Sequence, residues 1–205
     1  MPRTSIDSDL RGNAEATRAR LLRAAARQVH RNGFRATSLH DILVDTGLTK
    51  GAFYHHFANK IALGYALVDE WLGPKVEREW LAPLRESVEP IAVMMQLLGT
   101  AAIDAEEVML GCPLNNLAVE LAPVEETLRE HIQSVYDRWV GGIAEALERG
   151  RRAGTVSPAV DTRDAATFIV AALAGCRAIA KNARSSATLV RCHEHLARYL
   201  DTLKP

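Results

Sequence analysis

The sequence is poor in the features that mark several large classes of protein. Aromatic residues make up 5% of its 205 residues, and it has three cysteines and eight prolines. Three cysteines, Cys112, Cys176 and Cys192, are odd in number and lack metal-binding spacing, so we expect reduced thiols and no metal or other cofactor. The N-terminus has no apolar run typical of a signal peptide, and no uncharged apolar stretch is long enough to span a bilayer. We therefore expect a cytoplasmic protein without membrane contact.

Runs of alternating polar and apolar residues, which would indicate β-strands, are also missing. Alanine and leucine are abundant instead, and both favour helices. Apolar residues recur at helical steps of three and four, most clearly between residues 124 and 152. The sequence therefore predicts an all-α fold of about nine helices.

The chain divides by pattern into three parts. Residues 1–13 are polar and aperiodic and are predicted to form a disordered arm. Residues 14–75 contain short helical segments and residues 76–205 contain longer ones. Gly73-Pro74 is predicted to kink or break the fourth helix, because proline lacks the amide hydrogen that a helix interior uses. The domain boundary is therefore placed within this helix or just beyond it.

The net charge is zero, but the charges are unevenly distributed. Residues 1–60 hold ten arginine and lysine residues and only five aspartate and glutamate residues, so the rest of the chain is net acidic. A basic end on an acidic body is typical of a protein that presents one end to nucleic-acid phosphates.

The segment 37–60, TSLHDILVDTGLTKGAFYHHFANK, predicts two short helices joined by a tight turn at Gly47. Thr37 or Ser38 can cap the first helix, Thr49 the second and Asn59 the next one. On the second helix Phe53 can point into the core, which leaves an exposed face of Lys50, Gly51, Tyr54 and His55. A cation, a glycine and two polar rings suit a recognition helix that approaches phosphates and base edges.

The same segment resembles the signature of the TetR family of transcriptional regulators over about a quarter of the chain. The resemblance implies an all-helical protein with an N-terminal three-helix helix-turn-helix DNA-binding domain and a C-terminal domain for ligand sensing and dimerisation. It implies a homodimeric repressor that binds a palindromic operator in double-stranded DNA and releases it when a small-molecule effector acts on the C-terminal domain. The DNA-contacting residues it implies are Thr37, Thr49, Lys50, Gly51, Tyr54, His55 and Lys60. The remaining alternative is that these are merely packed helix residues.

A second segment, GCPLNNLAVE at residues 111–120, resembles a motif in one branch of these regulators, some of which respond to reactive compounds. The later run 175–181, GCRAIAK, resembles the same branch. The resemblance makes Cys112, Asn116, Trp139 and Lys181 the candidate sensing residues, and an electrophile or oxidant a candidate effector.

The chemistry of Cys112 leaves two readings open. At a helix N-terminus, and with Lys181 in the same cavity, its thiol would ionise readily and attack electrophiles. Alternatively, Cys112 is a small buried apolar residue and Lys181 a solvated charge. In the second case the effector binds without a covalent bond, in an apolar cavity for which Met94, Met95, Leu97, Leu98, Trp139 and Phe168 are candidates.

Three further questions stay open in the sequence. A cysteine-dependent enzyme built on Cys112 and His131 is disfavoured, because no catalytic motif accompanies them, so we expect no enzymatic activity. An architectural DNA-binding protein without a sensor is another alternative. Finally, the small residues of 161–182, among them Ala174 and Gly175, fit a subunit interface or close packing within the chain.

Overall fold

The computed structural model describes residues 4–100 and 105–205, with side chains for residues 13–99, 105–106 and 108–205. Apart from turns, the described chain is helical, which confirms the all-α prediction. The helices are α1 (Thr4–Asn32), α2 (Leu39–Thr46), α3 (Lys50–His56), α4 (Lys60–Leu67), α5 (Gly73–Val76), α6 (Pro90–Thr100), α7 (Ala105–Leu110), α8 (Pro113–Leu121), α9 (Glu126–Ala153), α10 (Thr162–Ala183) and α11 (Ser186–Asp201).

Helix α4 does not end at Leu67 but continues without interruption to Leu84. It passes through a π-helical stretch (Val68–Leu72), α5, a second π-helical stretch (Glu77–Leu81) and a 3-10 turn (Ala82–Leu84). We call residues 60–84 the connecting helix; counted as one, it brings the described helices to ten. Of the kink or break predicted at Gly73-Pro74, the break is therefore wrong, and the helix changes to π-helical geometry just before these residues instead. The wider π-helical turn just before Pro74 makes room for the proline ring, which would otherwise collide with the preceding carbonyls.

The helix ends around α2 and α3 follow the predicted capping residues. The Ser38 hydroxyl accepts from the amide of Asp41, whose carboxylate bonds back to Ser38 and thereby has a lowered pKa. Gly47 ends α2 in the left-handed conformation, with φ of 65°. Thr49 caps α3 and Asn59 caps α4 through their side-chain oxygens. These local bonds fix the geometry of the helix-turn-helix.

The N-terminal arm differs from the prediction. Helix α1 begins at Thr4, so residues 4–13 are helical rather than disordered, while residues 1–3 of the predicted arm lie outside the described residues. Once the packed part of α1 has formed, each added residue gains a hydrogen bond without a new nucleation cost, which favours extension of the helix.

Two large apolar cores support a division of the chain into two units, beside a small third cluster of Val108, Ala180 and Leu189. The first is built from α1 to α4 and ends with Ala66, whereas the second begins with Val68 on the connecting helix and runs to Leu203. The packing therefore changes between these two residues, nearer the N-terminus than residue 75. Phe34 crosses the division, since it follows α1 but is buried in the second core, and the half-buried Val29, Ile61 and Tyr65 also pack against that core.

The described residues hold no helix that is long and apolar enough to cross a bilayer. The same residues contain no group of three or more histidine, cysteine, aspartate and glutamate side chains that could hold a metal ion.

We predict opposite effects of alanine at two glycines that have equally open surroundings. An added Cβ meets nothing within 4 Å at Gly47 or at Gly141. Gly47→Ala should lower the free energy of unfolding by about 1 kcal/mol, because alanine is strained at positive φ. Gly141→Ala, within α9, should raise it by about 0.5–1 kcal/mol. Urea denaturation followed by circular dichroism measures both, and a stabilising Gly47→Ala would contradict the assignment of the turn.

Candidate nucleic-acid interface and sensor core

Helix α3 presents most of the predicted DNA-contacting residues on one exposed side. Thr49, Lys50, Gly51, Tyr54 and His55 are all exposed, and Tyr54 has 57% of its surface accessible. Its opposite side is fixed in the first core, where Phe53 and Phe57 are buried and their rings lie 5.5 Å apart. The α3 surface can therefore meet a ligand without any change in the core.

The C-terminal end of α3 is held in place by Arg18 of α1. The guanidinium of Arg18 donates to the carbonyl of His56 at 3.2 Å and lies 4.4 Å from the centre of the Phe57 ring. It also donates through Nε to Glu70 of the connecting helix at 3.1 Å. Burial, with smaller effects of His55 and Arg18, lowers the pKa of His56. The guanidinium of Arg18 thus ties α3 to α1 and to the connecting helix.

Two further arginines of α1 have internal partners on α2. Arg20 donates to the carbonyl of Thr46 at 2.7 Å, which satisfies the end of that helix. Arg27 pairs with Asp45 at 3.2 Å. Part of the basic excess in residues 1–60 therefore holds the helix-turn-helix together, and the charge count alone overstates what is available for phosphates.

The structure does not support Thr37 as a DNA contact. Thr37 is fully buried, and both its hydroxyl and its amide donate to the carbonyl of Gly33, at 2.7 and 3.2 Å. Its role is to close the turn between α1 and α2.

Lys60, another predicted DNA contact, is half-buried. Its ammonium donates to the Arg35 carbonyl at 3.2 Å and lies 4.9 Å from the Phe34 ring. Its desolvation lowers the pKa of Lys60, against the opposing effect of Glu120.

Cys112 lies at the N-terminus of α8 as predicted, but it is buried. Only 7% of its surface is accessible, and burial raises the pKa of its thiol. The amides of α8 and the charges of Arg177 and Lys75 act in the opposite direction and are the weaker influence. Of the two readings, burial therefore favours Cys112 as a small buried apolar residue, because the helix terminus does not compensate for lost hydration.

The other candidate sensing residues on α8 and α10 surround the backbone before Cys112. Asn116 donates from its side-chain amide to the carbonyl of Leu110 at 2.7 Å. Lys181 lies against Gly111, where an added Cβ would be 2.9 Å from the lysine Cδ. Gly111 has φ of 75°, so its backbone conformation favours glycine. Lys181 thus packs on the segment that precedes the thiol, and Arg177 is the cation of α10 whose charge reaches Cys112.

The indole N–H of Trp139, 4% accessible, is buried in the second core without a hydrogen-bond partner among the described residues. The ring of His193 on α11 is 7% accessible. Burial and the charge of Arg177 lower the pKa of His193, while a hydrogen bond with the backbone of Leu98 acts in the opposite direction. An unsatisfied buried donor costs about 1–3 kcal/mol, so the Trp139 indole favours a bound partner that accepts a hydrogen bond.

The remaining sequence candidates are distributed between core and surface. Met94, Leu98 and Trp139 are buried in the second core, but Phe168 is 51% exposed and does not line it. His131 pairs through Nδ1 with Asp69 at 2.8 Å and stacks on Tyr65, so it faces the connecting helix. An open groove of about 690 Å³ between the connecting helix and α9 is lined mainly by charged and polar residues, unlike the predicted apolar cavity.

Glu120 and His30 form hydrogen bonds between the two units, although the sequence predicted no role for either residue. The carboxylate of Glu120 on α8 accepts from the amides of Phe34 and Arg35, at 2.8 and 2.7 Å. The ring of His30 on α1 bonds to the carbonyl of Gly111 at 3.0 Å. Gly111 and Glu120 are the first and last residues of the motif at 111–120. The motif was therefore the feature of the sequence that could have identified them.

Comparisons with known proteins bear on both units. A family model described as bacterial regulatory proteins, tetR family, matches residues 21–66, and a model of the LmrA/YxaF-like C-terminal domain of transcriptional regulators matches residues 88–195. The regulator YxaF of Bacillus subtilis is 32% identical over 134 residues, which are 64% of this chain and 70% of YxaF. The regulator LmrA of the same organism is 26% identical over 178 residues, 85% of this chain and 91% of LmrA. A TetR transcriptional regulator from Chloroflexus aurantiacus superposes with a TM-score of 0.79 at 26% identity, covering 94% of this chain and 98% of that one.

Burial of Cys112 predicts slow alkylation. In a Cys176→Ser/Cys192→Ser variant, iodoacetamide at pH 8 should modify Cys112 at least about tenfold faster in urea than in the folded protein. The physical reason is that burial blocks access and that each unit of raised pKa lowers the thiolate fraction about tenfold. Mass spectrometry against time measures the rates. Equal alkylation rates in the folded and unfolded chains would instead support Cys112 as a reactive thiolate.

Proposed function

Because the chain belongs to the TetR family of transcriptional regulators and carries an LmrA/YxaF-like C-terminal domain, we propose that it is a repressor whose operator is released by a small-molecule effector. Membership in this family implies binding to operator DNA, dimerisation and the absence of enzymatic activity. The proposal adds the direction of regulation, the residues that contact DNA and the manner of effector binding.

The DNA-binding part of the proposal rests on the exposed side of α3. Lys50, Tyr54 and His55 stand together on it, and no hydrogen bond or ion pair within the described chain occupies any of the three side chains. Gly51 has no side chain that would hold the backbone away from a DNA groove. In this proposal Lys50 meets a phosphate or guanine, while Tyr54 and His55 meet phosphates or base edges. Thr49 and Lys60 flank this surface and complete the set.

The outer face of α10 supports a homodimer through α10 and α11. Phe168 and Ile179 are 51% and 60% exposed, and they share one face with Ala172 and Gly175 at helical spacing. An added Cβ at Gly175 meets nothing within 4 Å, whereas Ala174 is buried in its own chain. Exposed apolar side chains beside small residues let two helices approach closely. The two copies of α3 would then enter successive major grooves about 34 Å apart.

A non-covalent effector fits the second core better than reaction at Cys112. The thiol is buried with a raised pKa, while the indole N–H of Trp139 is buried without a hydrogen-bond partner among the described residues. Arg177 is half-buried and has no acidic partner in the described chain, and its charge reaches both Cys112 and His193. A buried donor and a cation around an apolar core favour an effector that has hydrogen-bond acceptors and an apolar body.

The α3 surface predicts which substitutions weaken DNA binding. A duplex selected by the wild-type protein from a random-sequence library serves as the operator. Lys50→Ala and Tyr54→Ala should each weaken its binding by about 1–3 kcal/mol, because each removes a phosphate or base contact. The matched control is Arg152→Ala, which removes an exposed cation at the far end of α9. Fluorescence anisotropy at two salt concentrations measures the affinities, and unchanged binding by both α3 variants would exclude α3 as the recognition helix.

The α10 face predicts a variant that separates the subunits. Ile179→Asp should convert the dimer to a monomer at micromolar concentration, since the symmetry of the interface brings two unpaired carboxylates into an apolar contact. Val119→Asp, at a residue 72% exposed on α8, is the control and should remain dimeric. Sedimentation velocity distinguishes the two states. A monomeric wild-type protein with full operator affinity would refute this interface.

A further inference from the structure

Helix α8 is bound to the DNA-binding unit at both of its ends. At its last turn, Glu120 accepts hydrogen bonds from two consecutive amides, Phe34 to Oε2 and Arg35 to Oε1. At the residue before its cap, the Gly111 carbonyl bonds to the ring of His30. Since α8 has nine residues, these attachments are about 13 Å apart. Two attachments so far apart fix the orientation of the helix against the DNA-binding unit as well as its distance.

The amides that Glu120 binds belong to the turn between α1 and α2, residues 33–38, which behaves as one piece with the helix-turn-helix. Gly33 turns the chain with φ of 87°, and Thr37 closes the turn by two bonds to the Gly33 carbonyl. Ser38 then caps α2 directly. A displacement of this turn must therefore displace the start of α2.

The turn also has little freedom to move independently of Glu120. An added Cβ at Gly33 would lie 3.1 Å from the Glu120 carboxylate, so the backbone and the carboxylate are in close contact. Lys60 donates to the Arg35 carbonyl, beside the two amides that donate to Glu120. Consecutive peptide groups of the turn are thus bound by the side chains of Glu120 and Lys60, and charge-assisted bonds of this kind are among the stronger ones in proteins.

The other face of α8 lies in the second core. Leu114, Leu117 and Leu121 are each at most 3% exposed there, and Cys112 belongs to the same core. A molecule that enters this core next to α8 would displace or rotate the helix, because packed interiors do not deform without moving their walls.

We propose that Glu120 is the positioning residue through which α8 and the turn at residues 33–38 move together, so that the state of the sensor core and operator binding are coupled. This inference rests on the proposed function and adds the route of the coupling. A purely structural role would stabilise the protein equally with and without DNA. Coupling is reciprocal, so operator binding must alter α8 as α8 alters operator binding.

Reciprocity allows a test without an identified effector. Amide hydrogen exchange of residues 105–121 is measured by mass spectrometry, with and without a saturating amount of the selected duplex. In the wild-type protein the duplex should change exchange in α8 at least about fivefold, the lower range of measured couplings. In Glu120→Ala the change should fall below twofold, and Glu120→Gln, which keeps one acceptor oxygen, should lie between them. Glu126→Gln, an exposed position that pairs with Arg129, is the control and should behave as wild type.

The outcomes separate this inference from the proposed function. If the wild-type protein selects no duplex, the proposed function fails. If it binds the duplex but α8 does not respond, or if Glu120→Ala responds as strongly as wild type, the coupling route is refuted. Should Glu120→Ala prove unfolded by circular dichroism, Glu120→Gln decides the question by the same comparison.

Discussion

The position of Phe34 is the constraint on which the relation between the two units depends. Phe34 follows α1 in sequence, yet its side chain is buried in the core formed mainly by the connecting helix, α6 and α8 to α11. It fits there because Gly64 has no side chain, and an added Cβ would lie 3.0 Å from the Phe34 ring. Burial of an aromatic side chain contributes about 2–3 kcal/mol, so the DNA-binding unit is held against the sensor unit by an apolar anchor. The hydrogen bonds of Glu120 and Lys60 then fix the orientation of the turn around that anchor.

Charged side chains in this protein mostly hold helices in place. Arg18 links α1 to the end of α3 and to the connecting helix, and Arg20 completes the end of α2. These bonds fix α3 on the N-terminal unit while Lys50 and Tyr54 remain accessible. In the proposed function, a displacement of the turn at residues 33–38 would then change the spacing of the two α3 helices of a dimer.

The motif at residues 111–120 gains a different meaning from the one that its cysteine suggests. Gly111 and Glu120 bond to the DNA-binding unit, Asn116 holds the end of α7, and Cys112 is a buried cap. The thiol lies at a position where its size and its low polarity suit the packing of α8. In the proposed function the unpartnered indole of Trp139, on α9, meets the ligand, whereas Glu120, on α8, provides the coupling.

The sequence by itself determined whatever depends on neighbours in the chain. The caps at Ser38, Thr49 and Asn59, the turn at Gly47 and the bounds of α3 were all predictable, because the hydrogen bonds that define them join residues at most four apart. The pattern also predicted an all-helical fold and the exposed side of α3, since helical periodicity separates buried from accessible positions.

Only the tertiary structure decided the features that depend on distant residues. It buried Thr37 and Cys112, carried the connecting helix through Pro74, and assigned α1 arginines to internal bonds. It also brought Glu120 to the amides of Phe34 and Arg35, more than eighty positions away in the chain. The energy of such a contact comes from burial and from partners that no local pattern specifies, so the ionisation of a thiol or the role of a carboxylate is settled by packing rather than by neighbouring residues.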